Sequence, residues 1–145
     1  MQGILKIALE QARPATARGQ CASYIPELTK ANPDHLGISV RTTDGRSWHV
    51  GDCGVRFTIQ SISKIITLIL AFEKIGYDAV FSKVGIPTKS GVGGGLLSVA
   101  DNRMGIGIFG PALDKKGNSA AGQVILEFLS TELDLHLFGR DIRPY

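Results

Sequence analysis

Apolar positions along the chain recur with two periods, and the switches between them divide the sequence into elements. Ile4, Leu5, Ala8 and Leu9 recur at helical spacing, so a first helix is expected over Ile4–Gln11, broken by Pro14 and Gly19. A short second helix is expected over Tyr24–Lys30, entered near Pro26 and closed by Asn32-Pro33. The period then shortens. Leu36–Thr43 reads as a strand, Asp44-Gly45 as a two-residue hairpin turn, and Arg46–Val50 as the return strand. From Ser61 to Lys74 the apolar residues Ile62, Ile65, Ile66, Leu68, Ile69, Leu70 and Phe72 occupy nearly every face of a helix that Gly76 is placed to end. Such a helix requires cover on almost all sides. Gly95–Ala100 and Met104–Phe109 form a second hairpin around Asp101-Asn102-Arg103. Asn118 or Ser119 then caps a closing helix through Leu133, with Val124, Ile125, Phe128 and Leu129 as its apolar stripe.

Helix, hairpin, apolar helix, hairpin, helix is an α+β layout, in which helices cover an antiparallel sheet. The length of 145 residues and a 43% hydrophobic content suit one domain over 1–145 with a real core. Eighteen glycines and 20% charged residues argue against both a coiled coil and disorder. The net charge of +3 comes from Lys and Arg scattered along the chain without a dense block, so nucleic acid is not an expected partner. No apolar run has the length of a membrane span, and Met1-Gln2-Gly3 leads into an amphipathic stretch, so the expectation is a cytoplasmic protein with no membrane partner. Cys21 and Cys53 read as reduced thiols. His35, His49 and His136 stand apart from one another and from the cysteines, so no metal site is expected.

Chemistry enters at Ser61-Ile62-Ser63-Lys64. A three-residue spacing on a helix brings a serine hydroxyl and a lysine amine to neighbouring positions on one face. In an apolar setting the charged form of the lysine is disfavoured, its pKa falls, and the neutral amine can take the serine proton. By itself the tetrad reads as capping and surface charge. A second element, Lys89-Ser90-Gly91 before an expected strand, makes the pair resemble the motifs of penicillin-binding proteins and β-lactamases.

The surrounding stretches are more specific. Ser23-Tyr24-Ile25-Pro26-Glu27-Leu28, Phe57-Thr58-Ile59-Gln60-Ser61-Ile62-Ser63-Lys64, Lys89-Ser90-Gly91-Val92-Gly93-Gly94-Gly95, Pro111-Ala112-Leu113-Asp114 and Gly117-Asn118-Ser119 together resemble the serine-dependent glutaminases. The resemblance implies a β-lactamase/transpeptidase-like fold and hydrolysis of L-glutamine to L-glutamate and ammonia through a glutamyl ester on the serine. It implies no cofactor. It makes Ser61 the nucleophile and Lys64 its base. The backbone N–H groups of Ser61 and Val92 become the oxyanion hole, Tyr24, Gln60, Ser61 and Val92 the substrate contacts, and Lys89, Ser90 and Gly91 the supporting motif.

The chain also departs from that family. Relatives carry a helical region between the serine helix and the Lys-Ser-Gly strand, whereas here 24 residues separate Lys64 from Lys89. That region holds the family's Asn and Glu substrate ligands and the Tyr residues near the serine. Phe81-Ser82-Lys83-Val84-Gly85 is similar to family sequence on one side of it, and Val84-Gly85-Ile86-Pro87-Thr88-Lys89 to family sequence on the other. An internal deletion with its junction near 83–87 is therefore expected, and turnover in this shortened form is expected to be near zero. Two other readings stand beside glutaminase: a different Ser–Lys acyl hydrolase of the same fold, and a non-catalytic self-association module. With one side of the serine helix uncovered, part of the set Ile62, Ile65, Ile66, Ile69 and Phe72 must meet solvent or another chain, which points to a homo-oligomer.

Overall fold

The computed structural model of the chain describes residues 1–76, 89–100 and 103–135, with Phe72, Lys89 and Ser90 described in their backbone alone. The expected junction near 83–87, the turn residues Asp101 and Asn102, and His136 fall outside these residues.

The first helix, α1, spans Gln2–Thr16 and runs through Pro14 instead of stopping before it. A proline in the last turn forfeits one backbone bond, and burial of Ala12, Ala15 and Thr16 beyond the expected end offsets that loss. The short second helix is a 3-10 turn, Pro26–Lys30, with proline at its start. Strands β1 (Gly37–Thr42) and β2 (Ser47–Gly51) pair antiparallel, with Arg41 opposite Ser47. The Thr42–Arg46 backbone bond closes the connection around three residues, Thr43, Asp44 and Gly45, not two. Thr42 N–H donates to Arg46 O at 2.9 Å, Gly45 N–H donates to Thr42 O at 3.0 Å, and Gly45 takes φ +89°. A left-handed third residue is what a turn-plus-bulge hairpin needs, and the Asp44 carboxylate reinforces it by accepting from Arg46 Nε at 2.8 Å.

Three further strands complete the sheet: β3 (Lys89–Gly91), β4 (Gly95–Ala100) and β5 (Met104–Phe109). The order is β2-β1-β5-β4-β3, antiparallel at every pairing. The second hairpin has the expected bounds. The closing helix, α3, spans Ala120–Glu132, and Ser119 Oγ caps it by accepting from Gly122 N–H at 3.1 Å. Arg103, at the tip of the second hairpin, donates to the carbonyls of Leu133 and Asp134 just past that helix.

Side-chain alternation decides which face of the sheet is covered. Ile38 and Val40 of β1, Leu96 of β4, and Met104, Ile106 and Ile108 of β5 point to one side. There they meet Leu5, Ala8 and Leu9 of α1 and Ile125 and Leu129 of α3. This layer is the core.

The remaining helix, α2, spans Ser63–Ile75 and ends at Gly76 with φ +83°. It begins two residues after Ser61, which lies in a separate 3-10 turn, Gln60–Ile62. The requirement for cover on almost all sides is not met, because no described side chain of α2 is buried. Ile66 is 56% exposed, Ile69 51%, Leu70 53% and Ile75 63%, so the expected apolar patch is present. Ile62 and Ile65 are half-buried, and the Phe72 side chain lies outside what is described. No described helix is long and apolar enough to cross a membrane.

Stability should follow this division. Leu5→Ala, at a fully buried site, is expected to cost about 2–5 kcal/mol in denaturant unfolding, and Ile69→Ala less than about 1 kcal/mol. Equal losses would mean that α2 is packed in solution.

Candidate active site

The turn carrying Ser61 is held by a close backbone approach. Gly91 at the end of β3, Gly93 in the turn after it and Gly95 at the start of β4 each face the segment Phe57–Ile62. A Cβ at Gly91 would sit 2.8 Å from Ile59 O and 3.2 Å from Gln60 Cβ. One at Gly93 would come within 2.9 Å of Thr58 Oγ1, and one at Gly95 within 2.6 Å of Ile62 Cδ1. Only hydrogen fits at these points, which is why this stretch is glycine-rich. At its other end the segment is anchored by Phe57, stacked on Phe109 with centroids 4.4 Å apart and planes at 16°.

Between these anchors Gln60 is forced to φ +47°, a left-handed conformation that a residue with a Cβ rarely adopts. Its side chain donates to Thr58 Oγ1 at 3.3 Å. The strain lies next to Ser61, which is half-buried.

The structure brings some of the expected residues together and leaves others apart. Gly91 places the end of the Lys89-Ser90-Gly91 strand against the Ser61 turn, as the motif pairing requires. Val92 follows in the turn Val92–Gly94, outside the paired register of β3, so ladder pairing does not use its amide. Val92 and Tyr24 line one cleft of about 470 Å³. Tyr24 is 65% exposed there, and its segment is tied down by reciprocal bonds between Gln20 and Leu113 of 2.9 and 2.8 Å.

Lys64 does not follow the expectation. It is exposed on α2, and no hydrogen bond joins it to Ser61. The apolar surroundings expected for it are not seen among the described residues, where Lys64 and its α2 neighbours Ser63, Ile66 and Thr67 are exposed.

Three features escaped sequence reasoning. Arg18 and Lys115 bring positive charge to the rim of the Tyr24–Val92 cleft. Asp114 organises the loop below it: one carboxylate oxygen accepts from the amides of Lys116 at 2.8 Å and Asn118 at 2.9 Å, the other from Gln123 Nε2 at 3.2 Å. These donors, the Asn118 amide first, hold the Asp114 carboxyl below its ordinary value. Its position before Gly117-Asn118 was the available signal. Finally, an apolar cavity of about 210 Å³ lies beside the serine turn, lined by Phe57, Ile59, Ile62, Leu97 and Phe109 together with Cys53. It is assembled from four separated stretches, so no local pattern announces it. Among the described residues no three His, Cys, Asp or Glu side chains converge as a metal would require.

Two outcomes follow. Gly91→Ala should push the 58–63 turn off β3 and speed its amide exchange by about tenfold or more, whereas Gly105→Ala, with open space around it, should not. Because Asp114 is lowered in the fold, its ordering of residues 114–118 should be complete at neutral pH and lost only as pH falls through a folded value below 3.8. NMR shifts of the Lys116 and Asn118 amides against pH would read this, and a transition above the ordinary value would overturn it.

Residues 19–85 and 81–138 match the family described as Glutaminase. A glutaminase from Clostridium botulinum (strain Loch Maree / Type A3) is 52% identical over 91 residues, 62% of this chain and 30% of the relative. One from Fusobacterium nucleatum is 52% identical over 86 residues, 59% of this chain and 28% of the relative. The chain thus spans under a third of the length of the curated relatives it matches. Among solved structures it is similar to the Bacillus subtilis glutaminase YbgJ in covalent complex with 5-oxo-L-norleucine, with TM-score 0.78, 22% identity, and 92% of this chain and 98% of that chain covered. It is also similar to Mglu in its L-glutamate binding form, with TM-score 0.79, 20% identity, and 93% and 67% covered. These likenesses show the fold, the β-lactamase-like α+β arrangement expected from the sequence.

Proposed function

The chain belongs to the glutaminase family, and from that premise we propose that it is a shortened glutaminase whose chemistry is hydrolysis of L-glutamine, with little turnover in this form. Ser61 Oγ attacks the side-chain amide carbon, the serine proton passes by way of Lys64 to the leaving nitrogen, and ammonia departs. Water then cleaves the glutamyl ester to L-glutamate and restores the serine. The amides of Ser61 and Val92 stabilise the oxyanion, and Tyr24 and Gln60 contact substrate. No cofactor enters. The observation that carries this reading is the contact of Gly91 with Ile59 and Gln60, which sets the Lys89-Ser90-Gly91 strand beside Ser61.

Low turnover follows from what the site lacks. With Lys64 exposed and unbonded to Ser61, the proton has no preorganised path. The family match falls into two stretches that overlap at residues 81–85, which supports an internal deletion joined near 83–87. We place the protein in the cytoplasm. The exposed apolar residues of α2 favour a second reading beside the first, a chain that self-associates into a homo-oligomer with or without catalysis. A Ser–Lys hydrolase acting on another acyl group is the remaining alternative.

Ammonia release from glutamine is expected to be at least about a thousandfold below that of a full-length relative and to vanish in Ser61→Ala. The Bacillus subtilis enzyme forms its covalent complex by reaction with 6-diazo-5-oxo-L-norleucine. Mass spectrometry after the same treatment should find a slow adduct confined to Ser61. Turnover that survives Ser61→Ala, or an adduct elsewhere, would exclude the serine mechanism.

A further inference from the structure

Helix α2 carries four of the exposed large hydrophobic residues, Ile66, Ile69, Leu70 and Ile75, and its pattern points to a partner. Ile62 is committed to its own sheet, since it lies over Gly91 and Gly95. Beyond it, Ile66, Ile69, Leu70 and Glu73 fall at spacings of three, one and three on a single stripe. The three apolar members are each more than half exposed. Ile75 is exposed too but lies on a different side of the helix.

The charge at the end of the stripe is misplaced for an isolated helix. Glu73 sits toward the C-terminal end, where the macrodipole disfavours an anion, while the first turn carries no acidic residue. Both faults are corrected if a second helix of the same sequence runs antiparallel beside the first. A two-fold axis passing between Ile69 and Leu70 sets Ile69 against Leu70 of the second copy. The same axis sets Glu73 against the first turn of the second copy, the positive end of that helix.

We infer that α2 pairs antiparallel with α2 of a second copy of this chain, burying the Ile66-Ile69-Leu70 stripe and placing Glu73 at the partner helix's N-terminus. This rests on the self-association half of the proposed function and not on glutamine hydrolysis. A 13-residue helix is about 20 Å long and about 10 Å wide, so the contact is smaller than a standard protein interface. The dimer should therefore dissociate on dilution through the micromolar range.

Sedimentation velocity of the full chain over a dilution series tests the pairing. A monomer–dimer equilibrium is expected, with Ile69→Asp raising the dissociation constant about tenfold or more and Ile75→Asp leaving it nearly unchanged. Glu73→Lys should raise it by about threefold to tenfold, and more at low salt than at high salt. Circular dichroism checks that each variant keeps its fold, and Ile66→Glu replaces Ile69→Asp if the latter does not. A chain that stays monomeric at every concentration sinks both this pairing and self-association. A dimer that Ile69→Asp and Ile66→Glu leave intact, or open-ended growth to which Ile75 contributes as much as Ile69, sinks the pairing while self-association stands.

Discussion

The site depends on one close approach: the backbone of Thr58–Gln60 lies where side chains of β3 and its following turn would otherwise be. Gly91 and Gly95 are paired across β3 and β4, Gly93 lies in the turn that joins them, and the segment Phe57–Ile62 rests on the surface the three form. This brings Ser61 beside the Lys89-Ser90-Gly91 strand although the two are far apart in sequence. It also holds Gln60 in its left-handed conformation, since a strained residue persists only where its surroundings leave no alternative. A larger residue at Gly91 or Gly93 meets the backbone of this segment, whereas one at Gly95 meets the side chains of Ile62 and Phe57.

The two sides of that contact are unequally supported. The strand side belongs to a sheet backed by α1 and α3, with Leu5, Ile38, Val40, Ile125 and Leu129 fully or almost fully removed from water. The serine side leads into α2, whose main contact among the described elements is with its own preceding turn. Local opening free energy follows buried contact, so one half of the site shares the stability of the core and the other half does not. Catalysis of acyl transfer needs donors, base and nucleophile held together to fractions of an ångström. The exposure of α2 and the low turnover proposed for this chain thus have one physical origin in packing. The unused apolar surface is also what makes a second copy of the chain a suitable neighbour.

What could be read from the sequence was what short-range physics controls. The alternation over 95–109 placed β4 and β5, because strand period and turn chemistry act within a few residues. Ser119 was legible as a cap because its partner, Gly122, is three residues away. Ser61, Lys64, Lys89, Ser90, Gly91, Val92, Gln60 and Tyr24 were found by resemblance, and the family match supports the stretches that contain them. Errors arose where distant burial or solvation overrode a local rule. Pro14 stays helical because Ala15 and Thr16 are buried, and Gly45 serves a three-residue loop because the β1–β2 register demands it.

The sequence by itself determined most of the elements, the family, and the strongly apolar pattern of the helix that follows Ser61. Tertiary structure alone decided which glycines touch the serine turn, which residues meet at the Tyr24–Val92 cleft, and that Lys64 stays in water. The division has a physical cause. Propensity, capping and periodicity are properties of a few neighbouring residues, whereas desolvation of a lysine and steric exclusion at a glycine depend on what a remote segment brings within a few ångströms.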